Sequence, residues 1–160
     1  MSRNKLFHAA IIALLAAAPA WGMSGDSGSS PAAAPADPAL ENANGAIAAK
    51  NWAQAQAVLR EAVARDPNKA EYHNLYAYSI RMGANPAMDL VFRHYNEALR
   101  LEPKHRGAHE YLGEAYLMTG NLAKAKEHLA ELDRLCTFGC KEYSKLKSAV
   151  ADYEQKQAKK

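Results

Sequence analysis

Residues 55–67 read AQAVLREAVARDP, and residues 91–103 read VFRHYNEALRLEP. Laid over each other, the two stretches share one frame. Ala55, Leu59, Ala62 and Pro67 in the first fall on Val91, Tyr95, Ala98 and Pro103 in the second. Steps of four and three place the first three of each set on one face of a helix. The proline marks its end, because a ring without an N–H cannot extend the hydrogen-bond ladder. A frame that recurs intact is the mark of a supersecondary unit repeated along the chain.

A third segment carries the front half of the same unit. His109, Leu112, Gly113 and Tyr116 match His73, Tyr76, Ala77 and Ile80, and Gly120, Ala125 and Leu129 follow. The proline spacing is 103 − 67 = 36 residues, and a two-residue excess over a period of about 34 fits an insertion near Ala84-Asn85-Pro86. These residues resemble the tetratricopeptide repeat (TPR) family over about residues 36 to 140. Its signature is small residues where helices cross, larger apolar residues around them and a proline at the repeat end. Ala55, Ala62, Ala77, Ala98, Gly113 and Ala125 are the small residues here, and they let helix backbones approach closely. The first repeat departs in its front half, where Ala39, Asn42, Ala43 and Ala46 stand at slots that usually hold larger side chains.

The resemblance implies an all-α fold. Three helix-turn-helix repeats, at about 36–69, 70–105 and 106–139, would stack as a right-handed superhelix under a C-terminal capping helix at 141–156. Local punctuation agrees. Asn51 with Gln54 forms a capping pair, Asn85 precedes a proline suited to a first helical turn, and Gly120-Asn121 ends one helix and caps another. Helices are expected near 39–49, 52–65, 70–82, 86–101, 106–119 and 122–135. In the cap, Tyr143, Leu146, Ala149, Val150 and Tyr153 form one apolar stripe, and the chain is expected to fray from Glu154, leaving 157–160 as a tail.

The N-terminus has a different character. Arg3 and Lys5 precede an apolar run from Leu6 to Ala18, and Ala18-Pro19-Ala20 supplies small residues for cleavage after Ala20 or Gly22. This is the pattern of a secretory signal peptide over 1–22, and an uncleaved anchor is the alternative. No cysteine stands there to carry a lipid. The expected compartment is periplasmic or secreted, with no membrane span left after cleavage. Residues 23–38, rich in Ser, Gly, Pro and Ala, read as a flexible linker without a large apolar residue beyond Met23. The net charge of +3 falls to about +1 (3 − 2) without Arg3 and Lys5, too balanced for a nucleic-acid partner.

In a TPR stack the first helix of each repeat lines a concave groove, and the resemblance assigns the candidates. Repeat one offers Leu40, Asn44 and Ile47. Repeat two offers Asn74, Tyr78 and Arg81. Repeat three offers Glu110, Tyr111, Glu114, Leu117 and Met118. Aromatic, amide and charged groups on one surface suit an extended peptide or a partner helix. A basic clamp on a peptide C-terminus is excluded. Asn44 has the right slot for it, but Leu40, Gly107 and Tyr111 stand where the cations belong.

Cys136 and Cys140 join the last repeat to the cap. In an oxidising compartment they read first as a disulfide staple, worth about 2 kcal/mol for so short a loop. A copper site or a redox pair is the alternative. Copper would need a third ligand, and His128 lies eight residues earlier. His73 and His109 hold equivalent slots and read as packing residues, while His105 falls in the turn after Pro103. No Gly-x-Ser-x-Gly, phosphate-binding glycine loop or zinc-protease motif occurs. The expected function is therefore that of an exported scaffold or adaptor without catalytic residues, metal or cofactor. A copper-handling or thiol-redox accessory role is the second possibility.

Overall fold

The structure, a computed structural model, describes residues 36–159. The expected signal peptide and almost all of the expected linker lie outside the described residues. The described chain forms seven α-helices and no strand: α1 Pro38–Ala48, α2 Trp52–Arg65, α3 Ala70–Arg81, α4 Met88–Leu101, α5 Arg106–Met118, α6 Leu122–Leu135 and α7 Lys141–Ala158. None of them is long and apolar enough to cross a membrane.

Local sequence explains most of the boundaries. Asn51 Oδ1 accepts from the Gln54 N–H at 3.2 Å, and its Nδ2 donates to Gln54 Oε1 at 3.0 Å, so the pair satisfies an otherwise orphaned donor at the start of α2. Asn121 caps α6 through the Lys124 N–H at 3.1 Å. Before it, Gly120 turns the chain at φ +81°, a conformation that costs glycine little. Three boundaries differ from expectation. First, α1 begins inside the stretch read as linker. Asp37 accepts from the N–H groups of Ala39 and Leu40 (2.9 and 3.2 Å), and Pro38 takes the first helical position. Second, α4 starts at Met88 rather than Pro86, because its first hydrogen bonds, from Leu90 and Val91, land on the Ala87 carbonyl. Burial of Val91, Tyr95 and Ala98 sets the register of α4, so the two extra residues are absorbed in the preceding loop. Third, α7 continues to Ala158, past the expected end of the cap at 156.

Successive helices pair as hairpins, α1 with α2, α3 with α4 and α5 with α6, and α7 packs on α5 and α6 as the next unit would. The odd-numbered helices also touch one another in sequence, α1 to α3, α3 to α5 and α5 to α7, whereas α2, α4 and α6 make no contact among themselves. The inner row is therefore continuous and the outer row is splayed, which curves the stack toward α1, α3, α5 and α7. Its core runs as three clusters. Ala43, Ala55, Leu59 and Ala62 anchor the first, Ala77, Val91, Tyr95, Leu112 and Ala115 the second, and Ala125, Leu132, Leu146 and Val150 the third. The small side chains on α1 bring it close to its neighbours: Ala39, Ala43 and Ala46 are all buried, while Asn42 is exposed. At Gly113 a Cβ atom would stand 2.6 Å from Leu146 Cδ2 and 2.8 Å from its Cδ1. The cap helix thus seats a fully buried leucine in the gap left by the missing side chain.

Polar groups bolt helices together within each hairpin and across the boundaries between repeats. His73 Nε2 meets the Pro67 carbonyl at 2.9 Å and its Nδ1 meets His94 Nδ1 at 2.8 Å. One repeat later, His109 Nε2 meets the Pro103 carbonyl at 3.0 Å and its Nδ1 meets His128 Nδ1 at 2.9 Å. A carbonyl only accepts, so each inner histidine carries its proton on Nε2 and accepts at Nδ1 from the outer one. The repeat-end proline thereby hands a free carbonyl to the next helix. At the first boundary Asp37 does comparable work, accepting from the Tyr72 hydroxyl at 2.8 Å and pairing with Lys69. The Lys69 hydrogen bond holds the Asp37 carboxyl well below the usual carboxylate range against its desolvation.

Two expectations follow. Gly113→Leu should lower stability by about 1–3 kcal/mol through overpacking, seen as a lower melting temperature and faster amide exchange in α7. An unchanged melting temperature would contradict the close α5–α7 crossing. Burial, reinforced by the neighbouring His73 or His109, holds His94 and His128 at about 4 against an ordinary 6.5. Arg93 and Lys124 push the same way, and Glu97 and Glu127 oppose them. Between those pH values the unfolded chain binds more protons than the folded one, so stability falls as pH drops from about 6.5 to 4. Urea midpoints across this range should decline, and His94→Gln with His128→Gln should flatten the decline.

Candidate functional site

The inner row of helices presents the candidate surface, and its residues take unequal parts. Tyr78 and Tyr111 lie half-buried with ring centroids 4.7 Å apart, and Trp52 meets Tyr78 edge-on at 6.0 Å. Burial pushes the Tyr111 phenol up to about 12, so it stays a neutral donor and acceptor. Met118, at the end of α5, is 53 % exposed, and Asn44 on α1 is exposed. Tyr78, Tyr111 and Met118 gather around Arg81, whose Nη1 lies 3.8 Å from Met118 Sδ.

Arg81 behaves differently. Its side chain is buried, donating to Glu114 Oε2 at 2.7 Å and to the Tyr95 hydroxyl at 3.4 Å. Its guanidinium also lies over the Tyr78 and Tyr111 rings, 5.5 and 5.7 Å from their centroids. A cation this fully engaged joins α3 to α4 and α5 and orients the two tyrosines. Glu114 spends its carboxylate on the same bond. Leu40, Ile47 and Leu117 are half-buried against core clusters, as Tyr78 and Tyr111 are.

Toward the starts of α3, α5 and α7 the surface deepens into a cleft of about 350 Å³ that includes Asn74, Glu110 and Tyr111. Asn74 and Glu110 hold equivalent slots one repeat apart, and each is only 2 % exposed. Asn74 Nδ2 donates to Glu71 Oε2 at 3.4 Å. His105 caps α5, accepting from the Ala108 N–H at 3.1 Å through Nδ1, and reaches Glu71 Oε2 with Nε2 at 2.7 Å. Glu110 pairs with Lys145 of α7 at 3.2 Å. Desolvation raises the Glu110 carboxyl while that lysine opposes the shift.

Glu71, His105 and Lys145 were not among the groove residues assigned from sequence. Glu71 had a readable signal, since it lies one helical turn before Asn74. Lys145 had none, because its approach depends on how α7 docks. His105 closes the turn after Pro103, its N–H donating to the Glu102 carbonyl at 3.0 Å, and also caps α5; His109 points its bonds elsewhere, so these two histidines share no site. His128, considered as a third copper ligand, is hydrogen-bonded to His109. The cysteine loop lies at the α6–α7 junction. Cys136 and Cys140 face each other with Cα atoms 5.6 Å apart, a span that a disulfide bridges. Cys140 Sγ also accepts from the Tyr143 N–H at 3.4 Å at the start of α7. At the loop tip, Phe138 is fully exposed.

Solved structures with a similar fold include a chaperone of type III secretion. The Yersinia enterocolitica translocator chaperone SycD superposes with a TM-score of 0.65 at 16 % identity, covering 75 % of this chain and 83 % of SycD. SycD in complex with a peptide of the translocator YopD gives 0.63 at 15 % identity, over 74 % and 92 % of the two chains. PcrH in complex with the chaperone binding region of PopD gives 0.62 at 15 % identity, over 76 % and 90 %. At such identity the likeness is one of fold. No curated protein matches the sequence. The tetratricopeptide repeat model, however, matches residues 40–83 and 93–138, more than half of the sequence, and with its stacked helical hairpins the chain belongs to the tetratricopeptide repeat family.

Proposed function

We propose that this protein is an exported binding module, a scaffold or adaptor that holds a peptide or helix of another protein on its inner face and catalyses nothing. The observation that carries the reading is the continuous inner row of α1, α3, α5 and α7, with Tyr78 and Tyr111 oriented by Arg81 and Met118 exposed beside them. Rigid, half-buried aromatics offer contact area at little entropic cost. The SycD complex with a peptide of YopD and the PcrH complex with the chaperone binding region of PopD support a peptide as the ligand class. Within this reading Asn44, Asn74, Tyr78, Tyr111 and Met118 face the ligand or its nearest shell, and Arg81, Glu110 and Glu114 keep that surface in shape. Export rests on the N-terminal pattern of Arg3, Lys5 and the apolar run after them. In an oxidising compartment Cys136 and Cys140 form a staple that sets the angle of α7.

Two measurements test this. A photo-crosslinking residue in place of Met118 should trap a partner polypeptide in cells, while the same residue in place of Arg93, exposed on the outer helix α4, should trap none. Equal trapping at both places would remove the inner face from the proposal. The intact mass of the native protein should correspond to a chain beginning at Trp21 or Met23 and should not change on treatment with a thiol alkylator. A full-length mass would count against export. Two alkylated thiols would count against the staple.

A further inference from the structure

The cleft at the starts of α3, α5 and α7 has a chemistry of its own. Asn74, Leu75, Glu110 and Glu142 form its enclosed wall, none more than 9 % exposed. Three of these four are polar, and what they offer is acceptor oxygen. The Asn74 amide is oriented by its bond to Glu71, because a carboxylate accepts but does not donate. Its Oδ1 is the end left over, and it is buried without a hydrogen-bond partner. A buried acceptor in that state is uncommon and asks for a donor. Glu110 has one basic partner, Lys145, whose side chain is 57 % exposed. The basic lining residues, Lys104, Arg106 and Lys141, are exposed, and Lys141 Nζ comes no closer than 4.0 Å to Glu142 Oε1. His105 is committed at both ring nitrogens, to Ala108 and Glu71.

We infer that this cleft receives the cationic end of a lysine or arginine side chain of the bound peptide, with the Glu110 carboxylate and Asn74 Oδ1 as its acceptors. The inference rests on the peptide-binding reading above and names the residue class that the peptide carries. Leu75 and Tyr111, which also line the cleft, suit the aliphatic stem of such a side chain, and the Tyr111 ring favours a cation. An acidic side chain meets Glu110 and Glu142 and is repelled. A neutral apolar one leaves Asn74 Oδ1 unpaired. Lys145 is a built-in stand-in: its ammonium already rests 3.2 Å from Glu110, and its exposure lets it yield that place to the ligand.

The test uses the whole purified protein and a library of random nine-residue peptides, acetylated and amidated so that neither terminus is charged. Selected binders should share a lysine or arginine at one fixed position. Titration calorimetry should show that replacing that residue by norleucine or citrulline weakens binding to the native protein by roughly tenfold or more. Glu110→Gln should abolish most of that difference, and Lys145→Met should tighten the cationic peptide about threefold, as expected when a weak internal competitor is removed. Binders without a fixed cation, or with neutral analogues that bind equally well, would overturn the cleft assignment and leave the peptide-binding reading standing. A cation preference unchanged by Glu110→Gln would place the cation elsewhere and equally overturn it. A library without any binder would remove both readings. Should Glu110→Gln melt early, the comparison of cationic and neutral peptides on the native protein decides alone.

Discussion

Close approach of helix backbones at small residues is the constraint on which the rest of this structure depends. Gly113 admits Leu146, and Ala55, Ala62, Ala77, Ala98 and Ala125 are fully buried at the other crossings. Helices that close cannot be parted by a large side chain without losing the contacts on both sides. The stack has no single large core to absorb such a change. Its apolar contacts form three clusters in sequence, each shared between neighbouring units, so the fold propagates one interface at a time.

Polar groups then fix what packing alone leaves adjustable. The His73–His94 and His109–His128 pairs repeat one arrangement, and each begins from a carbonyl made available by a repeat-end proline. Asp37 stands at the first boundary and Arg81 at the second, where Arg81 couples Tyr95, Glu114 and the rings of Tyr78 and Tyr111. The Pro67–His73, Pro103–His109, Asp37–Tyr72 and Arg81–Glu114 bonds cross between units, while His73–His94 and His109–His128 each join the two helices of one hairpin, and this ties them to function. The inner face is assembled from several helices, so any ligand on it senses the angles that the bolts maintain. Arg81 illustrates the division of labour: a buried, fully paired guanidinium has little left to offer a ligand, but it holds two aromatic rings where a ligand can use them.

The cap helix contributes more than solubility. α7 supplies Leu146 to the core, Glu142 to the wall of the cleft and Lys145 to Glu110. It thus closes one end of the inner face in the place another repeat would occupy. The cysteines at its start stand where a covalent tie would govern this placement. Cys140 already contributes to the first turn of α7 as its cap.

Much of this was legible in the chain itself, because it depends on local spacing. The recurrence of Leu59, Ala62 and Pro67 at Tyr95, Ala98 and Pro103 identified repeated helical hairpins, and Asn51 and Asn121 marked helix starts through bonds that span only three residues. The start of α4 escaped this reading, since long-range burial of Val91 and Tyr95 outweighed the local preference of Asn85-Pro86 for a helix start. The division within the site has the same origin. The resemblance to the repeat family put Arg81, Glu110, Tyr78 and Met118 on one face. Only the tertiary structure distinguished the buried Arg81–Glu114 bolt from the exposed Met118, and only docking of α7 brought Lys145 to Glu110 and shaped the cleft around Asn74. Periodicity reports which side of a helix a residue occupies, whereas burial and pairing depend on the distance and angle of a neighbouring helix many residues away.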